Sequence, residues 1–206
     1  MKRQTGPAAR FSRAAAIRSV RLVVDGHVPH PAKAAAALMK TFVTKRNRTT
    51  RKKAAFKITG FGFVYFAPGG VGGGRLRSSR NLLLNWGSVL GAGVSAVQAA
   101  VTSSGPPWLL ALALFPVAQQ FFPALTRSMS ERHAAVLWTL WQHGAATNRV
   151  PDASLRRLVN ESLKEYGCVS MKAKELQRVL TDLGDLRCVE RTISGWRVVE
   201  DVEVKG

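Results

Sequence analysis

Between Leu82 and Leu125 the apolar positions run on almost without polar interruption, and from Asn81 to Thr126 no side chain is charged. A helix on a globular surface keeps one charged face, so apolarity on every face predicts a membrane span or a deeply buried helix. The run divides at Thr102-Ser103-Ser104-Gly105-Pro106-Pro107, because Pro-Pro cannot continue a helix. The two pieces, Leu82 to Val101 and Trp108 to Leu125, are 20 and 18 residues long. At about 1.5 Å per residue they extend roughly 30 and 27 Å, the hydrocarbon thickness of a bilayer. Trp86 and Trp108 sit near the ends, where indoles favour a membrane interface. The pattern therefore predicts a two-helix transmembrane hairpin over residues 81–126. A helical hairpin buried in a soluble protein is the alternative, and it requires a large protein body around it.

After residue 127 the pattern changes to amphipathic. Ser128 and Glu131 have capping-box spacing, and Ala134, Leu137, Trp138 and Trp141 repeat at helical intervals up to Gly144. Pro151-Asp152 opens a second helix, with Leu155, Leu158, Val159 and Leu163 on one face and Gly167 near its end. Ser170 caps a third, whose apolar face is Leu176, Val179, Leu180 and Leu183 and which Gly184 stops. The period then becomes that of strands over Leu186 to Ile193 and Trp196 to Val204, joined by a Ser194-Gly195 turn.

The first 80 residues read differently again. Arg10 to Val24 and Pro31 to Thr44 have helical patterns with basic residues on them. Lys45, Arg46, Arg48, Arg51, Lys52 and Lys53 then form a run of one sign, which is a solvated, flexible segment or a phosphate-binding one. Phe56 to Phe66 is aromatic-rich, suiting a short strand or an interfacial segment. Pro68 to Arg75 is Gly-rich without the Gly-Lys-Ser/Thr ending of a phosphate-binding loop, and reads as a hinge.

Charge sharpens this division into residues 1–80, 81–126 and 127–206. The net charge is +19, of which residues 1–80 carry 18 Lys and Arg against the single acid Asp25. Residues 127–206 hold 13 Lys and Arg against 11 acids. An acid-poor basic block of this size points to a polyanion, either nucleic acid or anionic lipid headgroups. Arg75, Arg77 and Arg80 before the first apolar piece, and Arg127 and Arg132 after the second, predict an integral membrane protein with both termini in the cytoplasm. The Arg-rich start also fits a mitochondrial presequence, which makes the inner membrane of that organelle the alternative location. Gly87, Gly91, Ser95 and Ala99 form a small-residue stripe for close helix packing, against the second apolar piece or a second copy of the chain.

Three helices followed by a β-hairpin within residues 128–204 resemble the winged helix-turn-helix superfamily. The resemblance rests on element order and covers just over a third of the chain. It implies a third helix that enters the major groove and a wing that touches the backbone. On this sequence the third helix offers Lys172, Lys174, Gln177 and Arg178, and the wing offers Arg191 and Arg197. Glu175, Asp182, Asp185 and Glu190 lie among them, a composition that also suits a protein-interaction module.

No catalytic or metal-binding constellation is legible. His27 and His30 have no carboxylate or thiol beside them, and Cys168 and Cys188 have no metal-ligand spacing. No cofactor is implied. The sequence thus predicts a mainly α chain with a transmembrane hairpin, a winged-helix α+β region and a basic, partly flexible N-terminal region. Its expected role is to hold DNA at the cytoplasmic membrane face, the alternative being an oligomerising membrane scaffold.

Overall fold

The computed structural model describes residues 11–46, 63–66, 81–91, 106–122, 128–144 and 149–204. Helix α1 (Arg13–Val24) begins where the Ser12 hydroxyl accepts the Ala15 N–H at 3.3 Å. Its buried stripe is Ala16, Val20 and Val24, spaced four apart. Helix α2 (Pro31–Phe42) opens on a proline, whose missing N–H is no loss in a first turn. It buries Ala34, Ala35, Leu38, Met39 and Phe42. The chain passes from α2 directly into β1 (Val43–Arg46), and β2 (Phe63–Phe66) and β3 (Asn81–Asn85) follow.

These three strands form one sheet with β6 (Asp201–Val204), in the order β1-β3-β6-β2. Strand β3 is antiparallel to both neighbours, with Leu84 opposite Val43 on one side and Val202 on the other. Strand β2 runs parallel to β6. Segments far apart in sequence are thereby stitched together. After β3 the Asn85 side chain accepts the Ser88 N–H and starts the short helix α3 (Trp86–Gly91). Helix α4 (Leu109–Gln119) comes next.

The C-terminal part contains α5 (Glu131–Gly144), α6 (Asp152–Glu165) and α7 (Ala173–Asp185), then the hairpin of β4 (Val189–Thr192) and β5 (Gly195–Val198). Val150 adds an isolated antiparallel bridge to Trp196, a third rung beside the hairpin. Serine 130 rather than Ser128 caps α5: its carbonyl accepts the His133 and Ala134 N–H groups, and its own N–H is donated to His133 Nδ1 at 3.1 Å. The expected second wing strand is split. Val199 turns the chain out of the hairpin, and β6 joins the larger sheet instead.

The expected transmembrane hairpin is not found among the described residues. Among the described residues no helix is long and apolar enough to cross a membrane. Leu82 to Asn85, expected to begin the first span, are a strand paired on both edges, and the helix after them has six residues. Helix α4 has 11 residues. At about 1.5 Å per residue it extends roughly 16 Å, half of what a bilayer needs. The membrane anchoring, the orientation drawn from the flanking arginines and the integral-membrane location, with its mitochondrial alternative, are corrected with it.

The physical reason is that freedom from charge reports burial, and protein can supply burial as well as lipid. Helix α4 packs against α1, α3 and α5, and Ala111, Ala113, Leu114, Phe115, Val117 and Ala118 have no exposed surface. Trp108, expected at a membrane interface, is fully buried, donates its Nε1–H to Glu131 at 3.0 Å and meets Tyr166 edge-on. One continuous apolar cluster runs from Ala16 on α1 to Val202 on β6.

Candidate nucleic-acid interface

Helix α7 is amphipathic in a way that separates its charges. Leu176, Val179, Leu180 and Leu183 are buried, and α7 packs on α5 and β4. On the opposite side Lys174, Gln177, Arg178 and Thr181 are exposed at i, i+3, i+4 and i+7. Lys172, at the N-cap position, is exposed beside them. Thr181 extends the expected stripe by one turn. Its spacing from Lys174 was visible in the sequence, but its hydroxyl donates to the Gln177 carbonyl at 2.9 Å.

The acids that lie between these residues in sequence are directed elsewhere. Glu175 is ion-paired with Arg132 of α5. Asp182 is buried, 3.3 Å from His133 Nε2. Glu190 pairs with Arg197 across the β4–β5 rungs. Only Asp185, at the end of α7, remains exposed. Among the described residues Lys172, Lys174 and Arg178 have no ion-pair partner.

The turn before α7 is held by a side-chain clamp. The Asn160 amide accepts the Met171 N–H at 2.7 Å and donates to the Met171 carbonyl at 3.2 Å, while Met171 itself is buried. Gly167 ends α6 with φ of +71°, a conformation that costs glycine little, and the Cys168 N–H returns to the Leu163 carbonyl at 2.8 Å. These contacts set the angle at which α7 leaves α6.

The wing arginines are less free. Arg191 is exposed but reaches back to Asp152 at 2.9 Å, with its guanidinium 5.9 Å from the Trp196 ring centre. Arg197 is half-buried in its pair with Glu190. At the wing tip the fully exposed side chain is apolar, Ile193. Lys45 is exposed on β1, which packs on α2 and β3. Arg46 lies in the same strand. Arg48, Arg51, Lys52 and Lys53 lie outside the described residues, as do Ser95, Ala99 and the Gly-rich segment. Of the small-residue stripe, Gly87 lies against the Glu200 side chain, where an added Cβ would come 3.0 Å from Glu200 Cγ. Gly91 lies against Trp141.

Ser130, His133 and Asp182 have the separations of a nucleophilic triad, with Ser130 Oγ 2.9 Å from His133 Nδ1. The Ser130 backbone N–H can only donate, so Nδ1 is an acceptor and Nε2 carries the proton towards Asp182. Burial holds the His133 pKa below its ordinary value, against the hydrogen bond and charge of Asp182. The pair therefore ties the start of α5 to the middle of α7. Burial also raises both thiols, Cys188 well above its ordinary value, so neither is poised as a thiolate.

No protein-family model, curated protein or solved structure matches the chain.

Proposed function

We propose that the chain is a duplex-DNA-binding protein that lays α7 in the major groove. The observation that carries this reading is the exposed stripe of Lys174, Gln177, Arg178 and Thr181, from which the helix's neighbouring acids Glu175 and Asp182 are turned away. The B-DNA major groove, about 12 Å wide, admits one α-helix. Lysine and arginine there meet phosphates or guanine, and glutamine matches the donor–acceptor edge of adenine. The order helix, bridge, helix, helix, hairpin supports the resemblance to winged helix-turn-helix proteins, with Val150 as the short first strand. The pairing of Arg191 with Asp152 and of Arg197 with Glu190 favours a supporting part for the wing on the backbone over one in reading bases.

The test is fluorescence anisotropy of the full chain with labelled duplexes across a salt series. Binding is expected to fall steeply with salt. Lys174→Ala with Arg178→Ala should flatten the slope of log K against log salt by about 2, one unit per lost phosphate contact. If the double variant binds every duplex with unchanged affinity and slope, α7 is not the interface.

A further inference from the structure

The cations of α7 are a small part of the charge on this protein. Residues 127–206 are nearly neutral, whereas residues 1–80 hold 18 Lys and Arg and one acid. The structure shows where part of that excess lies. Arg18 and Arg21 are exposed on α1, Lys33 and Lys40 on α2, and Lys45 on β1, the strand that continues α2. Helices α1 and α2 pack on each other, so the five belong to one folded unit. None of them has an ion-pair partner among the described residues. Their spacing is that of helix faces: Lys33 and Lys40 are seven apart on the side opposite buried Ala34, Ala35, Leu38 and Met39.

The main packing of this unit is not on α7. Helix α1 packs on α4, α4 on α5, and α7 on α5. Each helix-to-helix step is about 8–10 Å, and the packing path from α1 to α7 runs through α4 and α5. Salt screens exposed charges over about 8–10 Å at physiological ionic strength. Cations beyond α4 therefore add little to the binding of a duplex seated on α7. They attract a polyanion of their own.

We propose that one chain holds two separate duplex segments, one on α7 and a second on the α1–α2–β1 surface, and so bridges them. The proposal rests on the α7 reading for its first site. The second site commits to duplex nucleic acid on charge complementarity. Its exposed apolar neighbours are alanines and the single Leu22, too little for insertion among lipid chains. Such a surface makes phosphate contacts only, so the second duplex is bound without regard to sequence.

The experiment counts duplexes per chain with the full protein and a duplex of about one and a half helical turns. Counting per chain is unaffected by self-association, since a dimer with one site per chain still saturates at one. Wild type is expected to take up two duplexes in separable events, and to carry a fluorescent duplex onto beads bearing a different one. The combined variant Arg18→Ala, Arg21→Ala, Lys33→Ala, Lys40→Ala and Lys45→Ala should weaken one event at least tenfold and flatten its salt slope by about 4 to 5. Lys174→Ala with Arg178→Ala should weaken only the other. All these side chains are exposed, and alanine suits helices, so an unchanged melting curve is expected of each variant. Saturation of wild type at one duplex overturns the proposal. So does weakening of the same event by both variants, which leaves a single continuous surface and a DNA-binding protein that does not bridge. Binding of anionic vesicles in place of the second duplex also overturns it. If only the five-alanine variant loses binding, the α7 reading fails, and the bridging proposal with it.

Discussion

Replacing Phe115 with alanine tests whether the uncharged block is the centre of one folded core. Phe115 lies in α4 with no exposed surface. Its ring is 5.7 Å from that of Trp86 at the start of α3 and 6.5 Å from that of His133 in α5. It thus touches the N-terminal and C-terminal parts of the molecule at once. Truncating a buried phenylalanine costs about 3–5 kcal/mol, more where the walls cannot close on the hole. Here the walls are three packed helices, and Pro116 follows directly, which sets the expectation at about 4 kcal/mol. For a protein of this size that is a fall in Tm of roughly 8–16 °C. Far-UV circular dichroism reads the melt, and hydrogen exchange read by mass spectrometry follows α1–α2 and α6–α7 peptides separately. Both sets of peptides should lose protection together, because a shared core unfolds as a unit. A shift below about 2 °C would mean Phe115 is not packed as described. Loosening of α1–α2 alone, with α6–α7 unchanged, would refute the continuous core.

Three further outcomes are expected. Gly195→Ala should destabilise the wing by at least about 2 kcal/mol in urea titration, since φ is +140° and an added Cβ would lie 2.3 Å from the Val150 carbonyl oxygen; an unchanged midpoint would deny the Val150–Trp196 bridge. Asn160→Ala removes both bonds to Met171 and should cost about 1–3 kcal/mol, with faster exchange at the Met171 amide as the local sign. Stability should rise with pH as pH climbs towards 6.5: the His133 pKa is lowered by folding, so the unfolded chain binds more protons in that window and the gain is complete above the unfolded value. His133→Gln should flatten that dependence, and an equally steep profile in the variant would assign it to other groups.

Legibility in the sequence followed from how local the determining interactions are. Helices α6 and α7 form close to where periodicity predicts them, because each has a strong apolar stripe; Gly167 follows the end of α6 as expected, whereas α7 runs through Gly184 to Asp185, and Arg187 takes the left-handed φ of 58° beyond it. Lys174, Gln177 and Arg178 could be placed on one face for the same reason, with Lys172 at the N-cap before them. Which acids would neutralise it could not. Glu175 and Asp182 are disarmed by Arg132 and His133, 43 and 49 residues away in sequence. Likewise Leu82-Leu83-Leu84 reads equally well as helix or strand until β1 and β6 take its two edges.

By itself the sequence determined the segregation of charge, the amphipathic helices of the C-terminal part and a hairpin turn, placed one residue late at Ser194-Gly195 where the structure has Ile193-Ser194, since each depends on residue types within a few positions. It also determined that residues 81–126 favour an apolar environment. Only the tertiary structure decided which environment the described part of that block finds. Burial against α1, α3 and α5 removes α4 from water as completely as lipid would, and hydropathy cannot tell one apolar surrounding from the other. The packing of α1 on α4, of α4 on α5 and of α5 on α7 was decided there too, a relation among elements far apart along the chain.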